Sequence, residues 1–166
     1  MATGNRSGKD SLTHLERLAE APEKFHFFHA FRVLEAAYPD SARIGEARRP
    51  REEKVRFDQE PDMRFAPSSI AAFDPPKGKK PGRMVNRFFG LFGPNGPLPL
   101  HLTEFASQRI RHHRDPTLVS FANMLTHRMT TLFYRAWRSG EPAASFDRGE
   151  RDDFERKVAA VAGYHA

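Results

Sequence analysis

The chain has 166 residues, a formal net charge of +6, no cysteine, and 15 phenylalanines against one tryptophan and three tyrosines. This length corresponds to one domain. The lack of cysteine excludes disulfides and thiolate metal sites. Residues 1–10 lack the apolar stretch of a signal peptide, and no run of about 18 apolar residues occurs, so we expect a cytoplasmic protein without a membrane-spanning helix.

Two helices are predicted before Pro39. Residues 1–10 are polar and are expected to be disordered, and residues 11–20 predict a short helix that Pro22 interrupts. The next helix has an apolar stripe at helical spacing, formed by Phe27, Phe31, Leu34 and Tyr38. Pro39 ends this helix.

The middle of the chain predicts loops with short strands. Residues 40–54 are charged and form a loop, whereas residues 55–58 and 84–89 each predict a strand. Residues 60–82, between the strands, are rich in proline and irregular. Apolar residues on such a long connection usually dock, either on their own domain or on a partner, and the sequence leaves both possibilities open.

A Gly/Pro series at residues 90–99 predicts a stiff, defined loop, because glycine supplies positive φ and proline restricts φ. Pro99 is well placed to open a helix over residues 100–111. The apolar face of that helix consists of Leu102, Phe105, Ala106 and Ile110.

The longest helix is predicted from Asp115 to Arg138, with Asp115 as N-cap and Pro116 at the first helical position. Its apolar residues recur every three or four positions, and we expect this stripe to form the centre of the core. The stripe consists of Leu118, Phe121, Leu125, Met129, Leu132 and Ala136, widened by Met124, Phe133 and Trp137. A final short helix is predicted over residues 152–161, with Phe154, Val158 and Val161 on one side.

The predicted fold class is therefore mainly α with a few short β-strands (α+β). Amphipathic helices surround a Phe-rich core, and a long Pro-rich loop connects the strands. We see no internal repeat.

The histidines do not form a recognisable metal site. His26 and His29 have the spacing to face one ion, and His101 shares a helix face with Glu104, but His112 and His113 are adjacent and point apart. A protein zinc site needs three or four ligands in fixed geometry. We therefore expect no metal and no cofactor.

Catalytic motifs are also missing from the sequence. The 90–99 loop resembles a phosphate loop only in its glycines, because Pro97 and Pro99 remove backbone donors. No nucleophile elbow occurs, and Ser68 and Ser69 have no base beside them. Asp152 and Asp153 are expected to favour a helix dipole. The sequence predicts no enzyme, although a hydrolase with an unrecognised site is a remote alternative.

Residues 109–114 form a basic cluster between two helices. We interpret it as charge that complements the dipole at the end of the preceding helix, since no aromatic stacking platform accompanies it. The alternative function is a small basic nucleic-acid-binding module, which would use residues 109–114 and 77–80.

Several segments, in this order, resemble the TssG family, whose members are baseplate subunits of the bacterial type VI secretion system. They are FFHAFRVLE at 27–35, VRF at 55–57, FAPSSI at 65–70, GLFGPNGPLP at 90–99 and LFYRAW at 132–137. The resemblance covers residues 25–154. We therefore expect residues 1–22 to be a flexible N-terminus with a short helix and residues 23–166 to be the TssG-like N-terminal region. Family members are about twice as long, so the resemblance implies that the family's C-terminal half is absent.

The resemblance implies a cytoplasmic structural scaffold without catalytic activity, cofactor, small-molecule substrate, nucleic acid or direct membrane insertion. In the family, one TssG and two copies of TssF join in a wedge, with TssK trimers attached and TssE nearby. The wedges of this contractile injection system surround a VgrG spike and dock at the inner-membrane complex.

Two partner-binding surfaces follow as hypotheses. The helices predicted over residues 100–111 and 115–138 are expected to pack against each other and against TssF helices. The TssF-binding residues of the long helix are Leu118, Phe121, Leu125, Leu132, Phe133 and Trp137. The 60–73 loop is expected to insert into an adaptor such as TssK through Phe65, Pro67, Ile70 and Phe73.

Overall fold

The computed structural model describes residues 6–146 and 153–164. Helix α1 (Arg6–Glu20) packs against α2 (Phe27–Ala37), and a 3₁₀ turn over Pro22–Lys24 joins them. Helix α1 begins at Arg6, so the prediction that residues 1–10 are disordered was wrong for residues 6–10. Residues 1–5 lie outside the described part.

A three-stranded sheet follows, formed by β1 (Val55–Gln59), β2 (Ile70–Asp74) and β3 (Gly82–Asn86) in the order β1-β3-β2. Strand β1 runs parallel to β3, and β2 runs antiparallel to it. Strand β1 agrees with the prediction, and β3 begins two residues before the predicted 84.

Strand β2 lies inside the segment that was predicted to be an irregular loop, and that prediction was wrong. Ile70 is fully buried and Phe73 is 5% exposed, both in the core. The two alanines between them have low β-propensity, so the strand depends on its pairing with β3.

The core lies between α2, the sheet and the long helix α4 (Thr117–Arg138). Phe31 is at its centre, because its ring centroid lies 4.1 Å from Phe27, 4.1 Å from Phe57 and 4.9 Å from Tyr134. The Phe-rich core and the α2 stripe are therefore confirmed.

Helix α3 (Leu100–His113) begins directly after Pro99, as predicted, and ends at Arg114 in the left-handed region. Helix α4 begins at Thr117. Its N-cap is Pro116, so the prediction of Asp115 as N-cap was wrong by one residue. Asp115 lies just before the cap, and its Oδ1 accepts hydrogen bonds from the Thr117 amide at 3.0 Å and from the Thr117 hydroxyl at 2.6 Å. These bonds, together with Arg109, hold the pKa of Asp115 well below its usual value.

Two short helices complete the described chain, α5 (Pro142–Phe146) and α6 (Asp153–Val161). Helix α5 was not predicted. Helix α6 agrees with the predicted final helix, and Val158 and Val161 are exposed on it. Asp152 and the side chain of Phe154 lie outside the described part.

The apolar stripe of α4 does not form the centre of the core, and the prediction that it would was wrong. The buried residues of α4 are Val119, Ala122, Asn123, Thr126, His127, Thr130, Thr131, Tyr134 and Arg138. Sequence periodicity shows that one side of a helix is apolar, but it does not show which side meets the rest of the fold.

Candidate protein-interaction site

The inner face of α4, which we define as its buried residues, is mostly polar. Three of its residues are the threonines Thr126, Thr130 and Thr131, whose small side chains let the helix approach β1 closely. The hydroxyls of Thr126 and Thr131 bond back to carbonyls of their own helix. This face therefore joins the fold through specific contacts more than through apolar burial.

Two inner-face side chains cover the open edge of β1. His127 Nδ1 accepts a hydrogen bond from the Phe57 amide at 3.1 Å, and Asn123 Oδ1 accepts one from the Gln59 amide at 3.0 Å. Edge strands expose unpaired amides that invite unwanted pairing. Helix α4 satisfies two of them with residues one helical turn apart.

The role of His127 follows from its neighbours. Because a backbone amide can only donate, Nδ1 is the acceptor and the proton lies on Nε2. That nitrogen is 2.9 Å from Glu53 Oε2, which Arg56 also contacts at 2.6 Å. The neutral tautomer therefore links α4, β1 and the preceding loop.

A buried ionic cluster joins α2 to the end of α4. Glu35 accepts hydrogen bonds from Arg138 at 2.8 Å, from the Tyr134 hydroxyl at 3.2 Å and from the Ile44 amide at 2.8 Å. Arg138 also pairs with Glu46. Burial, followed by the nearby charge of Glu35, raises the pKa of Tyr134 well above its usual value.

The outer face of α4 is apolar and exposed. We define it as Leu118, Phe121, Met124, Leu125, Met129, Leu132 and Phe133, whose exposed fractions lie between 39% and 64%. An amphipathic helix in a monomer normally has the opposite arrangement. A continuous exposed apolar surface of this kind is typical of a protein-interaction site.

An aromatic patch extends this outer face toward α2 and the end of β3. Phe133 stacks on Phe89 with ring centroids 5.7 Å apart, and Phe28 stacks on Trp137 at 4.5 Å. Phe88, which is 40% exposed, completes the patch and lies 4.1 Å from Phe27 in the core. The apolar surface therefore crosses from α4 to two other segments.

Five of the six residues predicted to bind TssF-type helices lie on the outer face and are exposed. They are Leu118, Phe121, Leu125, Leu132 and Phe133. Trp137 is partly buried in the aromatic patch instead. The structure places five of the six on the exposed side of α4 and the sixth in the neighbouring aromatic patch, and their binding role stays a prediction.

Of the four residues predicted to bind an adaptor, two are buried and two are exposed. Ile70 and Phe73 are core residues of β2 and cannot reach a partner while the fold is intact. Phe65 is 79% exposed, and Pro67 is exposed near it. These two residues line a cleft of about 250 Å³, and Phe88 and residues of the Gly/Pro loop line the same cleft.

The charged groups of this cleft are paired. The pKa of Asp62 is lowered to about 2 because Arg64 donates hydrogen bonds to its carboxylate. A guanidinium nitrogen of Arg87 lies 3.6 Å from Glu60 Oε2. The cleft therefore offers a mixed, nearly balanced charge around the exposed Phe65.

Gln59 fixes the Gly/Pro loop that forms the other wall of the cleft. Its side chain accepts from the Phe92 amide at 2.9 Å and donates to the Phe92 carbonyl at 2.7 Å. The Thr103 hydroxyl accepts from the Gly93 amide at 3.0 Å. The loop is defined, as predicted, and Phe92 is buried in a small second core with Ala106, Val119 and Ala122.

The basic cluster at the end of α3 is partly neutralised, because Arg109 pairs with Asp115. Arg111, His112 and His113 lie in the last turn of α3, where positive charge favours the helix dipole. This position agrees with the structural interpretation of the cluster.

Within residues 6–146 and 153–164, no three histidine, aspartate or glutamate side chains are grouped as metal ligands. Over the same residues, none of the helices combines the length and the hydropathy needed to cross a bilayer.

Sequence reasoning missed the residues that hold α4 in place. Asn123, His127 and Arg138 lie outside the predicted apolar stripe and were given no role from sequence. The available signal was the spacing of Asn123, Thr126, His127, Thr130 and Tyr134, which repeats every three or four positions just as the apolar stripe does.

Comparison with known proteins gives one match. The family model described as "Type VI secretion, TssG" matches residues 21–166, from just after α1 to the last residue. No curated protein and no solved structure matches the chain.

Proposed function

The chain belongs to the TssG family of type VI secretion proteins, and we propose that it is a scaffold subunit of the baseplate wedge that links TssF and TssK by protein–protein contacts. The family is a structural component of the type VI secretion baseplate and is not a known enzyme family. We propose that the chain has no enzymatic activity of its own. In the assembled baseplate its neighbours would be two copies of TssF, TssK trimers, TssE and VgrG, on the cytoplasmic side of the inner-membrane complex.

The reversed polarity of α4 is the observation that supports a scaffold role. Its inner face is held to the sheet edge by hydrogen bonds, while seven large apolar side chains on its outer face remain exposed. Full burial of one such side chain contributes about 1.5–3 kcal/mol. A partner that covers the outer face would therefore gain substantial binding free energy.

TssF is the partner that we assign to the outer face. The face is long and regular, with apolar residues every three or four positions, which suits packing against another helix. Phe121 and Leu125 lie at its middle and are 58% and 49% exposed.

TssK is the partner that we assign to the cleft at Phe65. The reasons are the high exposure of Phe65 and the neighbouring Pro67, on a connection that leads from β1 to β2. Of the four residues predicted for this contact, only Phe65 and Pro67 can take part, because Ile70 and Phe73 belong to the core.

The scaffold role is tested by co-expression of the chain with TssF from the same bacterium, followed by affinity purification and native mass spectrometry. The wild-type chain should form a stable complex with TssF. Phe121→Glu combined with Leu125→Glu should reduce captured TssF at least tenfold, because two charges would be buried in an apolar contact.

A double variant on the other surface, Met63→Glu with Phe65→Glu, is the matched control, and it should retain TssF. Both variants should melt at nearly the wild-type temperature, since all four side chains are exposed. Undiminished TssF capture by the Phe121/Leu125 variant would contradict the assignment. If the chain does not bind TssF but binds DNA with an affinity that falls steeply with salt, the nucleic-acid alternative would be favoured.

A further inference from the structure

The charges on the exposed side of α4 are all positive. The helix has 22 residues and contains no aspartate or glutamate, and its exposed charged side chains are Arg128 and Arg135. They are seven residues apart, which places them on the same side of the helix, about 10 Å apart along its axis. Among the described residues, no acidic side chain forms an ion pair with either arginine.

The segment that leads into α4 has the same sign. Its charged side chains are Arg111, in the last turn of α3, and Arg114, which follows that helix, and both are exposed. Asp115, at the start of α4, is already paired with Arg109. A partner that approaches the outer face therefore meets apolar side chains bordered by unpaired positive charge.

We propose that the outer face of α4 binds an acidic amphipathic helix of a partner protein, with carboxylates two turns apart that pair with Arg128 and Arg135. This inference rests on the proposed scaffold function and names the chemistry of the segment that docks. A guanidinium group can bond a carboxylate through two parallel N–H groups, which sets orientation as well as affinity. The two arginines would thus determine the register of the partner helix, while the apolar residues supply most of the binding free energy.

A protein helix fits this surface better than a membrane does. Membrane-surface helices carry lysine or arginine on the polar face and insert tryptophan, phenylalanine or leucine, and tryptophan and tyrosine are the residues that anchor proteins at the lipid headgroups. Helices α3 and α4 contain no lysine. Tyr134 is fully buried, and Trp137 stacks on Phe28. The outer face therefore lacks the anchors that a lipid surface would use.

A pair of synthetic peptides tests the charge preference with the full chain. Both peptides are amphipathic helices of the same length as α4 with one leucine stripe; one has glutamates seven residues apart beside the stripe, and the other has lysines there. In fluorescence anisotropy, the glutamate peptide should bind about tenfold more tightly than the lysine peptide. Equal affinities, or no binding of either peptide up to about 1 mM, would overturn the proposal.

Charge reversal assigns the preference to specific residues. Arg128→Glu with Arg135→Glu should abolish or invert the peptide preference. Lys77→Glu with Lys79→Glu, at the exposed turn between β2 and β3, changes the net charge equally and should leave the preference intact. Loss of the preference in both variants would mean a general charge effect and would overturn the proposal.

Two further measurements separate the possible failures. Binding to phosphatidylserine vesicles that Phe121→Glu with Leu125→Glu abolishes would replace the helix partner with a membrane. In the TssF purification, reversal of Arg128 and Arg135 should lower captured TssF about fivefold or more. If the Phe121/Leu125 variant loses TssF and the arginine variant does not, the scaffold function stands and this inference fails. If the chain prefers the glutamate peptide but captures no TssF, the inference stands and the assigned function fails.

Discussion

Glu35 is the residue at which α2, α4 and the loop before β1 meet. Its two carboxylate oxygens accept hydrogen bonds from the Ile44 amide, the Tyr134 hydroxyl and Arg138. A buried carboxylate is tolerated only when charge and hydrogen bonds replace the lost water. The position of α4 on the fold therefore depends on a few polar side chains, each with a defined partner.

Arg138→Met should lower the free energy of unfolding by about 3 kcal/mol, because it leaves Glu35 buried without its counter-charge. Urea denaturation measures this difference. The matched control is Arg135→Met, three residues earlier on the exposed side, which should change the free energy of unfolding by no more than about 0.5 kcal/mol. Equal effects of the two substitutions would show that the Glu35–Arg138 pair does not stabilise the fold.

At the scale of elements, the loop before β1 packs closely against α4. Gly45 is buried in that loop with a φ of +84°, and a Cβ added there would lie 2.6 Å from the Thr131 carbonyl oxygen. A carbonyl inside a helix cannot move aside without breaking helical hydrogen bonds. The close approach of the loop to the inner face of α4 thus requires glycine at this position.

Gly45→Ala should therefore lower the free energy of unfolding by about 2–4 kcal/mol, as the sum of strained φ and steric overlap. Gly78→Ala is the matched control, since Gly78 also has positive φ, +59°, but nothing lies near its added Cβ. That substitution should lower the free energy of unfolding by only about 1 kcal/mol. Thermal or urea unfolding compares the two, and equal costs would mean that the loop is not packed tightly on α4.

At the scale of the whole molecule, two of the exposed apolar surfaces in the described part of the chain adjoin each other. One is the outer face of α4 with its aromatic patch, and the other is the cleft at Phe65. Phe88 belongs to both the patch and the cleft, so the two surfaces meet there. Such an arrangement suits a subunit that contacts two different partners at once.

The two surfaces should be separable by mutation. Met63→Glu with Phe65→Glu should lower TssK capture and leave TssF capture unchanged, whereas Phe121→Glu with Leu125→Glu should do the reverse. Co-purification of each variant with both partners measures this. A loss of the same partner in both variants would contradict two separate contacts and would indicate a single composite surface centred on Phe88.

Much of the fold could be predicted because it depends on local sequence. The stripe of Phe27, Phe31 and Leu34, the stop at Pro39 and the helix start just after Asp115 all depend on signals within one or two turns of chain. The segments that resemble TssG are also short stretches of sequence that can be recognised without the fold. The family match over residues 21–166 agrees with that resemblance. Phe65 and Phe121 were also named from sequence as partner-binding residues; both are exposed, and their binding role stays a prediction.

The rest required tertiary contacts. Strand β2 forms because β3 lies beside it, and Ile70 and Phe73 become core residues only through that pairing. The orientation of α4 was decided in the same way. By itself, the sequence determined that α4 has one apolar and one polar side. Only the tertiary structure decided that the polar side faces inward, because the edge amides of β1 and the buried Glu35 needed partners that Asn123, His127 and Arg138 supply.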